Sequence, residues 1–92
     1  MSYELKFTST ALKDIEDLKK SGNKPLLVRL LKLLDELTEH PRTGLGNPEE
    51  LKHQYTGCWS RRINQQHRLI YRVMDETVTV IVLQAKGHYE DK

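Results

Sequence analysis

Residues 26–37 read LLVRLLKLLDEL. Leu26, Leu27, Leu30, Leu31, Leu34 and Leu37 recur at helical spacing and form one broad apolar stripe. A helix of this kind is not stable alone in water and needs an apolar partner surface. The partner is supplied downstream. Three stretches, 58–64, 67–74 and 77–85, read as strands, and TVTVIVLQA is β-branched and mostly apolar, as an interior strand requires. NQQH and MDET are short enough to be hairpin connections.

The N-terminal third completes the pattern. YELKF (3–7) alternates as a short strand. TST supplies a hydroxyl N-cap, and Ala11, Leu12, Ile15 and Leu18 are spaced for a second helix. Gly22 suits that helix's C-terminal cap, Asn23 the next N-cap, and Pro25 the next helix's first turn. Pro41 ends the leucine helix, and PRTGLGNP is a loop. The segment EELKHQYTG crosses back toward the sheet. The order is strand, two helices, then an antiparallel three-strand meander: an α+β fold with both helices on one sheet face. Ninety-two residues make a single domain, 1–92.

Several classes are disfavoured. No apolar run reaches the ~18–20 residues of a membrane span. MSYELKFTS lacks the pattern of a signal peptide. A single cysteine, Cys58, excludes an internal disulfide and fits a reducing cytoplasm. His40, His53, His67 and His88 show neither i, i+4 pairing nor association with cysteine, so no metal is expected. GLG follows a helix rather than a strand, so no phosphate-binding glycine loop or other cofactor site is expected.

Charge is more informative. The net charge is only +2, yet residues 51–74 hold no Asp or Glu and five cations: Lys52, Arg61, Arg62, Arg68 and Arg72. The remainder, ten basic residues against thirteen acidic, sums to −3. A concentrated basic zone on a near-neutral body fits phosphate or an acidic protein. Strand alternation puts Arg68, Ile70 and Arg72 on one face and Leu69, Tyr71 and Val73 on the other. The apolar side suits the helices, which leaves the arginine side open. Arg61 and Arg62 are adjacent and point to opposite faces, so one of them joins Arg68. Alternation alone leaves open which.

Around this face lie Glu49, Lys52, His53, His88 and Tyr89. Carboxylate, cations, imidazole and phenol together suit metal-free RNA cleavage, in which a base activates a 2′-hydroxyl, cations hold the phosphate and an acid protonates the leaving oxygen. Glu49 or His88 serves as the base, and His88 as the acid. Arg68, with Arg61 or Arg62, holds the phosphate. Tyr89 stacks on a base or bonds to phosphate.

The stretch NPEELKHQYTGCWSRRINQQHRLIYRV, with GHY near the end, resembles the YoeB (Txe) branch of the RelE/ParE toxin superfamily. The matching positions are Pro48, Glu49, Leu51 and Lys52; Gly57 and Trp59 to Ile63; His67, Arg68, Leu69 and Tyr71; and His88 and Tyr89. The resemblance implies a microbial RNase-like fold and a ribosome-dependent mRNA endoribonuclease, the toxin of a type II toxin–antitoxin pair. It places catalysis on Glu49 (general base), Arg68, His88 (general acid) and Tyr89. It puts supporting RNA contacts on Lys52, Arg62 and His53, and Arg61, from the basic zone, is a further expected RNA contact. It further implies a homodimer, a YefM-like antitoxin, and the 70S ribosome with its mRNA as target. Glu90, Asp91 and Lys92 extend beyond the point where some family members end. Two other readings use the same basic face: a non-enzymatic ParE-like toxin, and a module that only docks an acidic partner.

Overall fold

The computed structural model describes residues 2–87. Its first strand, β1, is Glu4–Phe7. Thr8, its own backbone still extended, is the N-cap, its hydroxyl oxygen accepting from the Ala11 N–H at 3.1 Å, and helix α1 runs Ser9–Lys20. Gly22 adopts φ +77° just past the Ser21 cap, a left-handed turn that costs glycine little. Asn23 caps the next helix by accepting from the Leu26 N–H at 3.1 Å, with Pro25 in the first turn. Helix α2, Lys24–Leu37, stops at a Thr38 cap, three residues before Pro41.

The strands β2 (Glu49–Glu50), β3 (Cys58–Arg62), β4 (Arg68–Met74) and β5 (Thr79–Gln84) follow. The sheet order is β1-β5-β4-β3-β2. β1 pairs parallel to β5, and the other pairings are antiparallel. The expected three-strand meander is therefore extended to four strands by β2, in a segment that sequence patterning reads only as a crossing. Apolar β5 is interior, between β1 and β4. The β4–β5 register slips between Ile70 and Tyr71, so that Ile70 faces Gln84 while Tyr71 faces Val82. The irregularity bends the sheet's end next to Arg68.

Both helices cover one face, as the alternation predicts. Leu26, Leu30, Leu33, Leu34 and Leu37 pack with Ala11, Leu18, Leu69, Tyr71, Val80 and Val82 in the main core. Full burial of each leucine contributes roughly 2 kcal/mol. The stripe is rotated from its expected position: Leu33 is fully buried, whereas Leu31 and, on α1, Leu12 are more than half exposed. On the opposite face a small second cluster, Leu51, Cys58 and Ile70 with Tyr55 and Leu83, forms an apolar floor.

Candidate active site

Register decides which side chains share the open face, because directly paired residues of antiparallel strands project to the same side. Glu49 pairs with Ser60, Ser60 with Ile70, Arg62 with Arg68, and Cys58 with Arg72. Glu49, Ser60, Arg62 and Arg68 therefore share the face whose floor contains Ile70 and Cys58. The Arg68 Nη1 lies 4.0 Å from the Glu49 Oε1 and 3.4 Å from the Oγ of fully buried Ser60. The Arg68 side chain is 20% exposed and that of Glu49 is 57% exposed. Half-buried guanidinium and open carboxylate are thus adjacent, and both are reachable by a ligand on the sheet. Arg62 is exposed beside them.

Lys52 and His53 lie just beyond β2, both exposed. His53 opens a single 3-10 turn, His53–Tyr55, with φ +59°, a left-handed conformation unusual for a side chain of this size. Its carbonyl is held there by the N–H and hydroxyl of Thr56. Arg72 sits four residues along β4 from Arg68, about 13 Å away at strand rise. There its Nη2 lies 3.5 Å from the Cys58 Sγ, and its guanidinium borders Gly57. The cations of β4 are two separate positions rather than one patch. His88 and Tyr89 lie outside the described residues. The last described residue, Gly87, accepts at its carbonyl from the Arg68 N–H at 2.9 Å and donates its own N–H to the His67 Nδ1 at 2.8 Å.

Arg61 does not join the site. It pairs with Leu69 on the helix-covered face and has no exposed surface. Every guanidinium nitrogen is engaged inside. Nε donates to the Tyr71 hydroxyl at 3.1 Å, Nη1 to the Glu36 carboxylate at 2.5 Å and to the Leu45 carbonyl, and Nη2 to the carbonyls of His40 and Thr43. The Tyr71 ring lies 5.9 Å from the guanidinium carbon, and its hydroxyl donates to the Pro41 carbonyl at 2.6 Å. The expected RNA contact for Arg61 is therefore corrected. A side chain sealed beneath the sheet cannot reach RNA, and Arg62 is the arginine that joins Arg68.

The Arg61 cage still bears on the site. It ties residues 40–45, the loop leading to Glu49, onto α2 and β3. The Glu36 Oε1 also accepts from the Leu45 N–H at 2.7 Å, and the Gly46 carbonyl accepts from the Arg62 N–H at 2.7 Å. At Gly46, φ is +80° and a Cβ would meet the Arg62 carbonyl oxygen at 2.9 Å, so only glycine fits this approach. Burial raises the Glu36 carboxyl, but hydrogen bonds from Leu45 and Arg61 and the Arg61 charge outweigh it and hold the group below its ordinary range. Burial pushes the Tyr71 phenol up despite Arg61, so it stays protonated and donates to Pro41.

A family model described as the YoeB-like toxin of bacterial type II toxin–antitoxin systems matches residues 7–89. The chain belongs to the YoeB toxin family. It is 36% identical over 83 residues to the toxin YoeB of Streptomyces coelicolor, covering 90% of this chain and 95% of that one. Its fold matches the YoeB/ParE toxin from Agrobacterium tumefaciens with a TM-score of 0.86 at 32% identity, over 94% of this chain and 99% of that one. Two Staphylococcus aureus structures, a heterotetrameric YoeB–YefM toxin–antitoxin complex and a YoeB dimer, each match with a TM-score of 0.79 at 32% identity, over 95% and 98% of the respective chains. Family membership and the α+β fold expected from the sequence are thus borne out.

Two features of the site escape a reading of the sequence by motif chemistry alone. Ser60 places a buried hydroxyl 3.4 Å from the Arg68 guanidinium, and His67 holds the chain at Gly87. For Ser60 a signal existed: Cys58, Ser60 and Arg62 alternate with Trp59, Arg61 and Ile63, and the second row carries the larger apolar groups. His67 stands in the matched motif, but its role does not show there, since the N–H that its Nδ1 accepts belongs to Gly87, 20 residues away.

Proposed function

We propose that this YoeB-family toxin is a ribosome-dependent mRNA endoribonuclease that cleaves through the 2′-hydroxyl without metal. The observation that carries the reading is the pairing of exposed Glu49 with half-buried Arg68 on one open face, 4.0 Å apart. Glu49 removes the 2′-hydroxyl proton, and O2′ attacks the adjacent phosphorus. The bond to O5′ breaks, leaving a 2′,3′-cyclic phosphate, and His88 protonates the departing O5′. Arg68 binds the phosphate's non-bridging oxygens and offsets the charge that grows on them in the transition state. Glu49 neighbours Arg68 in the free protein, so an incoming phosphate takes over part of the guanidinium and frees the carboxylate to act as base. Ser60 limits the orientations open to that guanidinium. Arg62, Lys52 and His53 line the approach as RNA contacts, and Tyr89 bonds to phosphate or stacks on a base.

The partners follow the same reading. The YoeB–YefM complex and YoeB dimer among the structural neighbours support a YefM-like antitoxin and a homodimer for this chain. The target is mRNA on the 70S ribosome, in the cytoplasm. Controlled expression tests this in cells. Wild type should arrest growth and create new mRNA 5′ ends inside reading frames, and Glu49→Ala, Arg68→Ala and His88→Ala should abolish both. Wild-type cleavage patterns in all three variants would overturn the assignment, and an early block of DNA replication instead of translation would favour a ParE-like action.

A further inference from the structure

A backbone N–H can only donate, so the 2.8 Å contact from the Gly87 N–H requires an unprotonated Nδ1 on His67. The imidazole is then the neutral tautomer with its proton on Nε2. Its own backbone is fixed by the β3–β4 hairpin. The Asn64 Oδ1 accepts from the N–H groups of Gln66 and His67 at 2.9 and 2.8 Å, and the His67 carbonyl accepts from the Ile63 N–H at 2.9 Å. The next residue, Arg68, holds the other side of Gly87 by donating its N–H to that carbonyl at 2.9 Å. Gly87 is therefore clamped at both its polar groups by two consecutive residues, one of which carries the site's guanidinium. The clamp lies beyond Gln84, the last residue of β5, where the regular ladder has ended. At φ +74°, with none of the described residues within 4 Å of where a Cβ would stand, Gly87 makes a left-handed exit that favours glycine for conformational reasons.

We propose that His67 is a positioning residue: through Nδ1 it fixes Gly87, so that the chain continues into His88 from a set point beside Arg68. The inference rests on the nuclease reading, in which His88 delivers a proton to an oxygen of the phosphate that Arg68 holds. A proton donor misplaced by about 1 Å can cost ~10²-fold in rate. His67 touches neither substrate nor reacting atoms in this role.

The test separates acceptor from bulk. In His67→Asn the amide oxygen falls near the place of Nδ1 and can accept, whereas His67→Phe keeps the ring and removes the acceptor. Single-turnover cleavage of ribosome-bound mRNA should fall about 10–100-fold in His67→Phe, with ribosome affinity and thermal midpoint close to wild type. His67→Asn should recover to within several-fold. Amide hydrogen exchange at Gly87, followed by NMR, should be slow in wild type, at least ~10-fold faster in His67→Phe and slow again in His67→Asn. Equal Gly87 exchange in all three proteins, a wild-type cleavage rate in His67→Phe, or no rescue by His67→Asn each overturns the proposal. A wild type that cuts no RNA while the exchange pattern holds overturns the nuclease reading and leaves the clamp standing.

Discussion

Arg68→Ala is expected to slow cleavage of ribosome-bound mRNA by about 10²–10³-fold, the usual cost of removing a preorganised group aimed at developing charge. The loss should appear in the chemical step under saturating ribosomes, with a smaller change in binding, because Lys52 and Arg62 remain exposed beside the site to attract phosphate. Stability should change little. The side chain is partly exposed, its contact with Glu49 is at the 4.0 Å limit of an ion pair, and its bond to Ser60 is long at 3.4 Å. Arg68→Lys keeps the charge but not the planar fork, and should recover only part of the rate. Glu49→Gln, which keeps shape and removes the base, should cost about 10²–10⁴-fold. Rapid-quench measurements on programmed ribosomes, alongside urea denaturation of each variant, separate chemistry from folding. Cleavage within twofold of wild type in folded Arg68→Ala would contradict the site.

The second large effect belongs to stability. Arg61→Met should lower the unfolding free energy by about 2–4 kcal/mol, because removing the fully buried guanidinium leaves the partly exposed Glu36 carboxylate and several inward carbonyls without their donor. Glu36 would lose its cation, and the carbonyls of His40, Thr43 and Leu45 would each lose a donor. Domains of this kind have only ~5–15 kcal/mol in total, so much of the protein would be at risk of unfolding at 37 °C. Arg61→Lys would retain charge but reach fewer of these acceptors. The same cage is sensitive to acid. The Glu36 pKa is depressed on folding, so its contribution is fully present above the ordinary value of 4.5 and is lost as pH falls through the lower folded value. Urea denaturation from pH 7 to 3 should show this loss in wild type and a flatter acid limb in Glu36→Gln. An Arg61→Met protein as stable as wild type would show that the cage is dispensable.

How much of this is legible in the sequence depends on how local each cause is. The caps at Thr8 and Asn23 and the left-handed turn at Gly22 follow from residues within three positions, and all are found where the sequence places them. The faces of β4 follow from alternation and hold as well. The leucine stripe is legible as a stripe but not as an orientation. Rows through Leu27 and Leu31 and through Leu30, Leu33 and Leu37 lie side by side on α2, and the sheet beneath selects the second. β2 is two acidic residues with no apolar alternation, and it exists only because β3 offers it a ladder. The parallel pairing of β1 with β5 joins residues 75 positions apart, Glu4 with Thr79, and has no local signature. Charge counting treated Arg61 and Arg62 alike, yet one is a buried strut and the other an exposed cation. The difference is one step of strand parity, set by Trp59 and Ile63 on the helix side.

The most direct measurement uses purified protein and 70S ribosomes programmed with two mRNAs that differ by a single atom. One carries ribose at the cut nucleotide and the other 2′-deoxyribose. The account predicts rapid cleavage of the first, with a 2′,3′-cyclic phosphate on the upstream fragment, and no cleavage of the second at that position. Equal cutting of both would contradict a mechanism in which the 2′-hydroxyl is the nucleophile and Glu49 its base.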